Sequence, residues 1–103
     1  MSTILMARFG VYLLPNGGLV LDCQSDHVDN VGTRLVVPLL PPDDMPAGLP
    51  ALHPCFDLEG KRLMMATHLA GAVHSRLLKQ PVSMLHHHQD RIMRALDILL
   101  TGF

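Results

Sequence analysis

The chain has 103 residues, 49% of them hydrophobic, and its eight Lys and Arg and nine Asp and Glu give a formal net charge of −1. This length suits a single domain, and the apolar fraction is high enough for a packed core, which excludes disorder of the whole chain. The near-neutral charge and only four aromatic residues argue against a nucleic-acid-binding protein, which normally carries a basic face or stacking aromatics.

The sequence shows no sign of a membrane or exported protein. Its longest apolar run, Leu35 to Leu40, is far shorter than the roughly 20 residues that cross a bilayer. The first eight residues lack the basic and apolar regions of a signal peptide. Cys23 and Cys55 form no Cys-x-x-Cys motif, so we interpret them as reduced, small apolar residues. We therefore expect a small cytoplasmic protein.

The first predicted element is an antiparallel hairpin. Apolar alternation predicts strands over Arg8 to Leu14 and Leu19 to Gln24. Between them lies Pro15-Asn16-Gly17-Gly18, whose Asn-Gly pair is expected to supply the positive φ angles of a tight turn.

A third strand is predicted over Thr33 to Leu40, buried on both faces. Pro38 cannot donate a ladder hydrogen bond, so it is expected to mark a bulge or the point where the strand leaves the sheet. Pro41 to Pro50 is rich in proline and is predicted to be a surface loop.

The middle of the chain predicts a second hairpin and one ambiguous segment. His53 to Leu58 and Lys61 to Ala66 are the hairpin strands, with Glu59-Gly60 as the turn. Thr67 to Gln80 fits either a helical period or a short strand within residues 72–77.

A C-terminal helix over about residues 86–101 is predicted from the spacing of one apolar stripe: Leu85, Ile92, Leu96, Leu99 and Phe103. Gly102 is expected to end it. Met93 and Leu100 lie beside this stripe. They are interpreted either as the rim of the core or, with Asp97 and Thr101, as a patch for a partner.

Histidine is the most conspicuous chemical feature, with seven in the chain and three adjacent, at His86, His87 and His88. Adjacent side chains on a helix point about 100° apart, so these three cannot converge on one metal ion. No His-x-x-x-His pair occurs among them either. We expect no metal and no other cofactor, and we interpret His86 as a helix cap or a solvated residue.

No catalytic constellation is evident, so we predict no catalytic residues and no enzyme activity. The serines lack a Gly-x-Ser-x-Gly context, and neither cysteine has a base nearby in the sequence. The residues leave one enzymatic alternative open, a metal-free ribonuclease. It would use His27 or Asp26 as base, and Arg34 would stabilise charge at the phosphate.

Several segments of the chain resemble the CcdB family of bacterial toxins. They are Arg8-Phe9-Gly-Val-Tyr12, Leu21-Asp22-Cys-Gln24-Ser25-Asp26, Thr33-Arg34-Leu-Val-Val-Pro38-Leu39 and Arg62-Leu-Met64-Met65-Ala-Thr67. The terminal helix continues the resemblance, which covers nearly the whole chain from about Arg8 in the family's order. Met1 to Leu5 precede the family's natural beginning and are interpreted as a loose extension.

The resemblance implies an α+β, mainly β fold in one domain over residues 1–103. Its core is an SH3-like barrel of antiparallel strands, as in MazF-type toxins, with a small accessory sheet and a C-terminal helix. It further implies a homodimeric toxin of a type II toxin–antitoxin system. Such a toxin binds the DNA gyrase A subunit, traps the cleaved gyrase–DNA complex and is neutralised by a CcdA-like antitoxin. Neither sequence-specific nucleic-acid binding nor a membrane role is implied.

The family's gyrase-binding tail, Trp-Gly-Ile, corresponds here to Thr101, Gly102 and Phe103. The resemblance therefore implies gyrase contacts at these residues and at Leu100 and Asp97, the last two replacing an aromatic residue and an Asn. His27 and Val28 replace a pair of aliphatic residues in a loop that is implied to contact a partner.

Thr101 is the largest departure from the family, because a buried Trp anchor often contributes 2 kcal/mol or more to an interface. Two alternatives therefore stay open beside the gyrase poison. One is a MazF-like endoribonuclease on the related fold. The other is a weakly toxic or non-toxic relative that keeps only antitoxin binding.

Overall fold

A computed structural model describes residues 8–45 and 48–102. The regular elements are β1 (Gly10–Leu13), β2 (Leu19–Asp22), β3 (Thr33–Leu40), β4 (Cys55–Leu58), β5 (Lys61–Met65), β6 (Gly71–His74), β7 (Ser83–Met84) and α1 (Gln89–Thr101). The seven strands form one antiparallel sheet in the order β4-β5-β3-β2-β1-β7, and β6 pairs with β3 off this path. The predicted fold class is confirmed: the sheet is a nearly closed barrel, with one C-terminal helix. The small accessory sheet implied by the resemblance takes the form of a branch of this same sheet, where β6 pairs with β3.

The first hairpin is confirmed, with a different turn from the one predicted. Val11 pairs with Leu21 across β1 and β2. Within the turn, the Gly17 N–H donates to the Leu14 carbonyl at 2.9 Å, and Gly17 alone has a positive φ, of 89°. The connection is thus a four-residue turn from Leu14 to Gly17, with the left-handed glycine as its last residue, and Asn16 does not adopt the positive φ that we predicted.

The second hairpin, between β4 and β5, has the two-residue turn expected of the first one. Glu59 and Gly60 have φ angles of 50° and 81°, and Leu58 pairs with Lys61 across the turn. Two successive positive φ angles match the twist of antiparallel strands, which explains how a Glu-Gly pair closes a tight hairpin.

Strand β3 is confirmed over its predicted residues but is not buried throughout. Val36 and Val37 are buried on its opposite faces, whereas Leu35 is 38% exposed. Pro38 neither bulges the strand nor ends it, because it pairs with Val20 of β2. On the other edge of β3 it marks a change of partner, since residues 33–36 pair with β6 and residues 39–40 pair with β5.

The ambiguous segment is a short strand flanked by two 3₁₀ turns. Thr67–Leu69 and Ser75–Leu77 form the turns, and β6 lies between them. The strand alternative is therefore right over the middle of the segment, and the helical alternative is wrong. Leu78 reaches the interior after the second turn and is 3% exposed.

The C-terminal helix covers the main apolar cluster of the barrel. Its buried residues are Ile92, Ala95 and Leu96, and the cluster continues through strand residues on one face of the sheet. Leu99 is 38% exposed, so the apolar stripe leaves the core one turn earlier than predicted. Gly102 ends the helix as expected. It has a left-handed conformation, and its N–H donates to the Ile98 carbonyl at 2.8 Å.

The residues before α1 correct one expectation about histidine. His86–His88 form a 3₁₀ turn, and α1 follows without a side-chain hydrogen bond at its N-terminus. His86 is therefore not a cap, and it is exposed. Within residues 8–45 and 48–102, no group of three or more His, Cys, Asp or Glu is arranged to hold a metal ion.

Both cysteines are free, in agreement with the expectation of reduced thiols. Cys23 is buried, and Cys55 is half-buried. No helix in the described part of the chain has the length and apolar character needed to span a bilayer. The interpretation of Met1 to Leu5 falls on residues that lie outside the described ranges.

Candidate functional site

The end of α1 presents most of the residues implied to contact gyrase. Leu100 is 78% exposed, and Asp97 and Thr101 are exposed beside it. The Thr101 hydroxyl donates to the Asp97 carbonyl at 2.6 Å, so its hydrogen-bonding capacity is partly used within the helix. Gly102 follows as the exposed helix stop, and Phe103 lies outside the described residues. We call Asp97, Leu100, Thr101 and Gly102 the helix tip.

The second implied contact region is the loop over residues 23–32, between β2 and β3. His27 and Val28 are exposed near its middle, Val28 by 45%. Ser25 shapes this part of the loop, because its hydroxyl accepts from the His27 N–H at 3.2 Å and its carbonyl accepts from the Val28 N–H at 3.0 Å. The loop thus holds the His27–Val28 pair in a defined turn facing solvent.

The Gln24 side chain joins the middle and the end of this loop. Its Nε2 donates to the Val28 carbonyl and, at 3.0 Å, to the Thr33 carbonyl. Its Oε1 accepts from the Leu35 N–H at 2.9 Å. The Gln24 side-chain amide therefore joins the middle of the loop, at Val28, to the beginning of β3. It uses both of its donor hydrogens and its acceptor oxygen.

Beneath the loop lies a buried ion pair. Arg34 and Asp22 are both 0% exposed, and the Arg34 guanidinium lies 2.8 Å from Asp22 Oδ2. Arg34 Nη2 also donates to the Gln24 carbonyl at 3.0 Å and to Asp26 Oδ1 at 3.1 Å. Because a buried charge without partners is costly, these contacts determine where the chain runs as it leaves β2.

The electrostatics of the pair follow from its burial. Burial raises the pKa of Asp22, and the hydrogen bond from Arg34 acts in the opposite direction. Burial by itself would lower the pKa of Arg34, but hydrogen bonds to Asp22 and Asp26 outweigh it and raise that pKa. The guanidinium therefore stays charged in the interior, and it acts as a fixed centre for the surrounding oxygens.

Arg8 connects the loop to the helix. Its backbone N–H donates to Asp26 Oδ1 at 3.0 Å, and its Nε donates to the Cys23 carbonyl at 3.3 Å. Its Nη2 lies 3.2 Å from the sulfur of Met93, which is one helical turn before Asp97. The loop and the side of α1 that leads to the helix tip are thus joined through one residue.

Sequence reasoning did not assign a role to Gln24 or Arg8. Both lie in the segments that carry the family resemblance, which was the available signal. The Arg8–Met93 contact joins residues 85 positions apart, and the Gln24 contacts with Thr33 and Leu35 span 9 and 11 positions, so neither follows a helical or strand period.

The geometry does not support the ribonuclease alternative that sequence analysis left open. Arg34, the proposed phosphate-binding cation, is fully buried and is committed to Asp22 and Asp26. A side chain that contacts a substrate phosphate must reach the surface, and this one does not. Asp26 accepts two hydrogen bonds within the network, which makes it a structural acceptor.

A comparison with known protein families shows which family this chain belongs to. The family model described as CcdB protein matches residues 8–102, nearly the whole chain. The chain belongs to the CcdB family. No curated protein sequence matches it. The CcdB family comprises toxins of toxin–antitoxin systems, of the kind that poison DNA gyrase. In this CcdB-family chain, the helix tip and the loop over residues 23–32 are the surfaces to consider for a partner.

Proposed function

We propose that this protein is a toxin that binds the DNA gyrase A subunit and traps the cleaved gyrase–DNA complex. In this proposal it acts as a homodimer in the cytoplasm, and a CcdA-like antitoxin neutralises it. The observation that carries the proposal is the match of the CcdB family over residues 8–102. The toxin carries out no covalent chemistry, so gyrase itself cuts the DNA.

The exposed helix tip supports this proposal. Leu100 offers the largest described apolar contact there, with Asp97 and Thr101 as polar neighbours. Interfaces gain most from apolar side chains that become desolvated at their centre, with polar groups around them. We propose that Asp97, Leu100, Thr101, Gly102 and Phe103 contact gyrase, and that His27 and Val28 form a second contact.

The experiment is a supercoiled-plasmid assay with gyrase of the source species, ATP and the purified protein, stopped with detergent and protease. The proposal predicts linear DNA. Leu100→Glu places a charge at the centre of the proposed contact and is expected to lower the yield of linear DNA by tenfold or more, at about 1.4 kcal/mol per factor of ten. Because Leu100 is so exposed, this change leaves the core intact.

Leu13→Glu is the matched control, since Leu13 is 55% exposed and lies on the first hairpin. It is expected to poison gyrase as well as the unaltered protein does. Absence of linear DNA with a folded protein would reject gyrase poisoning. If that protein still bound an antitoxin tightly, the non-toxic relative would be the better description.

A further inference from the structure

A cleft separate from the helix tip and the loop over residues 23–32 lies beside the second hairpin. Its volume is about 270 Å³. It is bounded by the chain at Gly48–Pro50, by strands β4 and β5, and by the first turn of α1, through Arg91. The residues described around it include two arginines and a histidine but no acidic residue. In a chain with a net charge of −1, this is a local concentration of positive charge.

Arg91 is held in place at the cleft by two contacts. Its Nη2 donates to the Cys55 carbonyl at 2.8 Å, and its guanidinium lies 4.8 Å from the centre of the Phe56 ring. A guanidinium has five N–H donors in a planar fork, so these contacts orient the group and leave donors free. Arg91 is therefore pre-organised to bind an oxyanion at this position.

Arg62 is the second cation of the cleft and is nearly free. Among the residues that the structure describes, it pairs with Asp57, at 3.7 Å between side chains that are 64% and 77% exposed. Pairs of this kind contribute about 0–1 kcal/mol, so a ligand carboxylate can replace Asp57 at small cost.

The histidine of the cleft is structural. The Leu49 N–H donates to His53 Nδ1 at 3.2 Å, and His53 Nε2 lies 3.0 Å from His68 Nδ1. With Nδ1 accepting, the neutral ring carries its proton on Nε2 and donates to His68. A Cβ on Gly48 would come within 2.5 Å of His53 Nδ1, so glycine is required for this close packing. The charge at neutral pH is thus that of the two arginines.

The rest of the lining is apolar and comes mainly from Leu49, Pro50, Pro54 and Met64. Leu49 is 63% exposed, so its apolar side chain is accessible at the mouth of the cleft. From this juxtaposition of Arg62 and Arg91 with apolar side chains, we propose that the cleft binds a protein segment in which an acidic residue is followed by an apolar one.

A peptide fits this cleft better than a nucleic acid does. Two arginines are few for a nucleic-acid site, whose affinity comes from neutralising many phosphates along a groove. The ring of Phe56 lies beneath Arg91 and is 2% exposed, so it is not available to stack on a base. The volume suits one carboxylate and one neighbouring apolar side chain.

The test uses the full-length protein and two synthetic peptides, Gly-Glu-Leu-Glu-Leu-Gly and its uncharged match Gly-Gln-Leu-Gln-Leu-Gly. Binding is followed by amide chemical shifts in low salt. The acidic peptide is expected to shift the signals of Cys55, Met64 and Arg91, and the uncharged one to leave them in place. Arg62→Gln and Arg91→Gln are each expected to weaken binding by about tenfold, the effect of one charge-assisted hydrogen bond.

Arg94→Gln is the matched control, because Arg94 is exposed on the same helix and does not line the cleft. It is expected to leave peptide binding unchanged, and Arg91→Lys is expected to restore part of what Arg91→Gln loses. A single-stranded oligonucleotide that shifts the same signals when the acidic peptide does not would overturn the proposal. So would equal binding of both peptides, or no shift with either.

Discussion

The two surfaces proposed to meet gyrase are held in place by different kinds of interaction. The loop over residues 23–32 rests on a fully buried ion pair, Asp22–Arg34. It is closed by the Gln24 side chain, which donates two hydrogen bonds and accepts a third. The helix tip ends in the left-handed Gly102, whose N–H bonds to the last turn of α1. The loop depends on tertiary contacts, whereas the tip depends on local helix chemistry. Mutations are therefore expected to affect the loop through stability and the tip through binding.

The largest expected effect comes from breaking the base of the loop. Arg34→Met leaves the Asp22 carboxylate buried without its partner, which is expected to lower the free energy of unfolding by about 3–5 kcal/mol. Arg62→Met is the matched control, because its pair with Asp57 is exposed, and its expected effect is within about 1 kcal/mol. Urea unfolding of both variants measures this. An equal loss of unfolding free energy in both variants would show that the buried pair stabilises the fold no more than the exposed pair does.

A smaller and more local effect is expected from Gln24→Glu. The carboxylate still accepts from the Leu35 N–H but cannot donate to the carbonyls of Val28 and Thr33. The loss of these two hydrogen bonds, at about 1 kcal/mol each, is expected to lower the free energy of unfolding by about 2 kcal/mol and to speed amide exchange at Val28. Gln80→Glu, at an exposed position, is the control and should change neither quantity. Unaltered exchange at Val28 in Gln24→Glu would contradict the role of Gln24 in closing the loop.

Cys23 tests how dry the interior below the loop is. Burial raises the pKa of its thiol from an ordinary 9.0 to about 12. The unfolded chain therefore releases this proton first as pH rises, and the fold loses stability above pH 9. The thiol is expected to account for about 1.4 kcal/mol of that loss by pH 10. Urea unfolding at pH 7 and pH 10 measures the loss, and Cys23→Val should remove this part. An equal loss of unfolding free energy between pH 7 and pH 10 in both proteins would show that Cys23 is solvated.

The smallest effect on stability is expected at the helix tip. Gly102 has a φ of 82°, which costs a residue with a Cβ about 1 kcal/mol. Gly102→Ala should therefore fray the last turn with little loss of overall stability, while gyrase poisoning falls. Gly71→Ala is the control, because Gly71 is not left-handed and its nearest obstacle is 4.0 Å away. Thermal unfolding together with the plasmid assay distinguishes the two effects. If Gly102→Ala lost overall stability but still poisoned gyrase fully, the expectation that the helix tip acts through binding would be contradicted.

Much of the fold was predictable, because it depends on short-range patterns. The strands on either side of Asn16-Gly17, the whole of β3 and the end of α1 at Gly102 follow from alternation, helical spacing and the preferences of glycine. The errors were in turn geometry and in the outer edge of the core. Asn16 lacks the predicted positive φ, and Leu99 is exposed because the helix passes beyond the barrel before its apolar stripe ends.

The candidate site was predictable only through family resemblance. Exposed residues such as Leu100 and Val28 have no pattern that separates them from ordinary surface positions. The contacts of Arg8, Gln24 and Arg34 were not visible at all, since they form only when α1 packs on the barrel or when β2 and β3 pair.

The sequence by itself determined the hairpins, the terminal helix with its glycine stop, and membership of the CcdB family, because each depends on residues close together in the chain or on their order along it. Only the tertiary structure decided that Arg34 is buried rather than reactive, and that Arg62 and Arg91 face one cleft. The physical reason is that burial and charge proximity are properties of the assembled barrel. They arise from which strands pair, and no local run of residues specifies them.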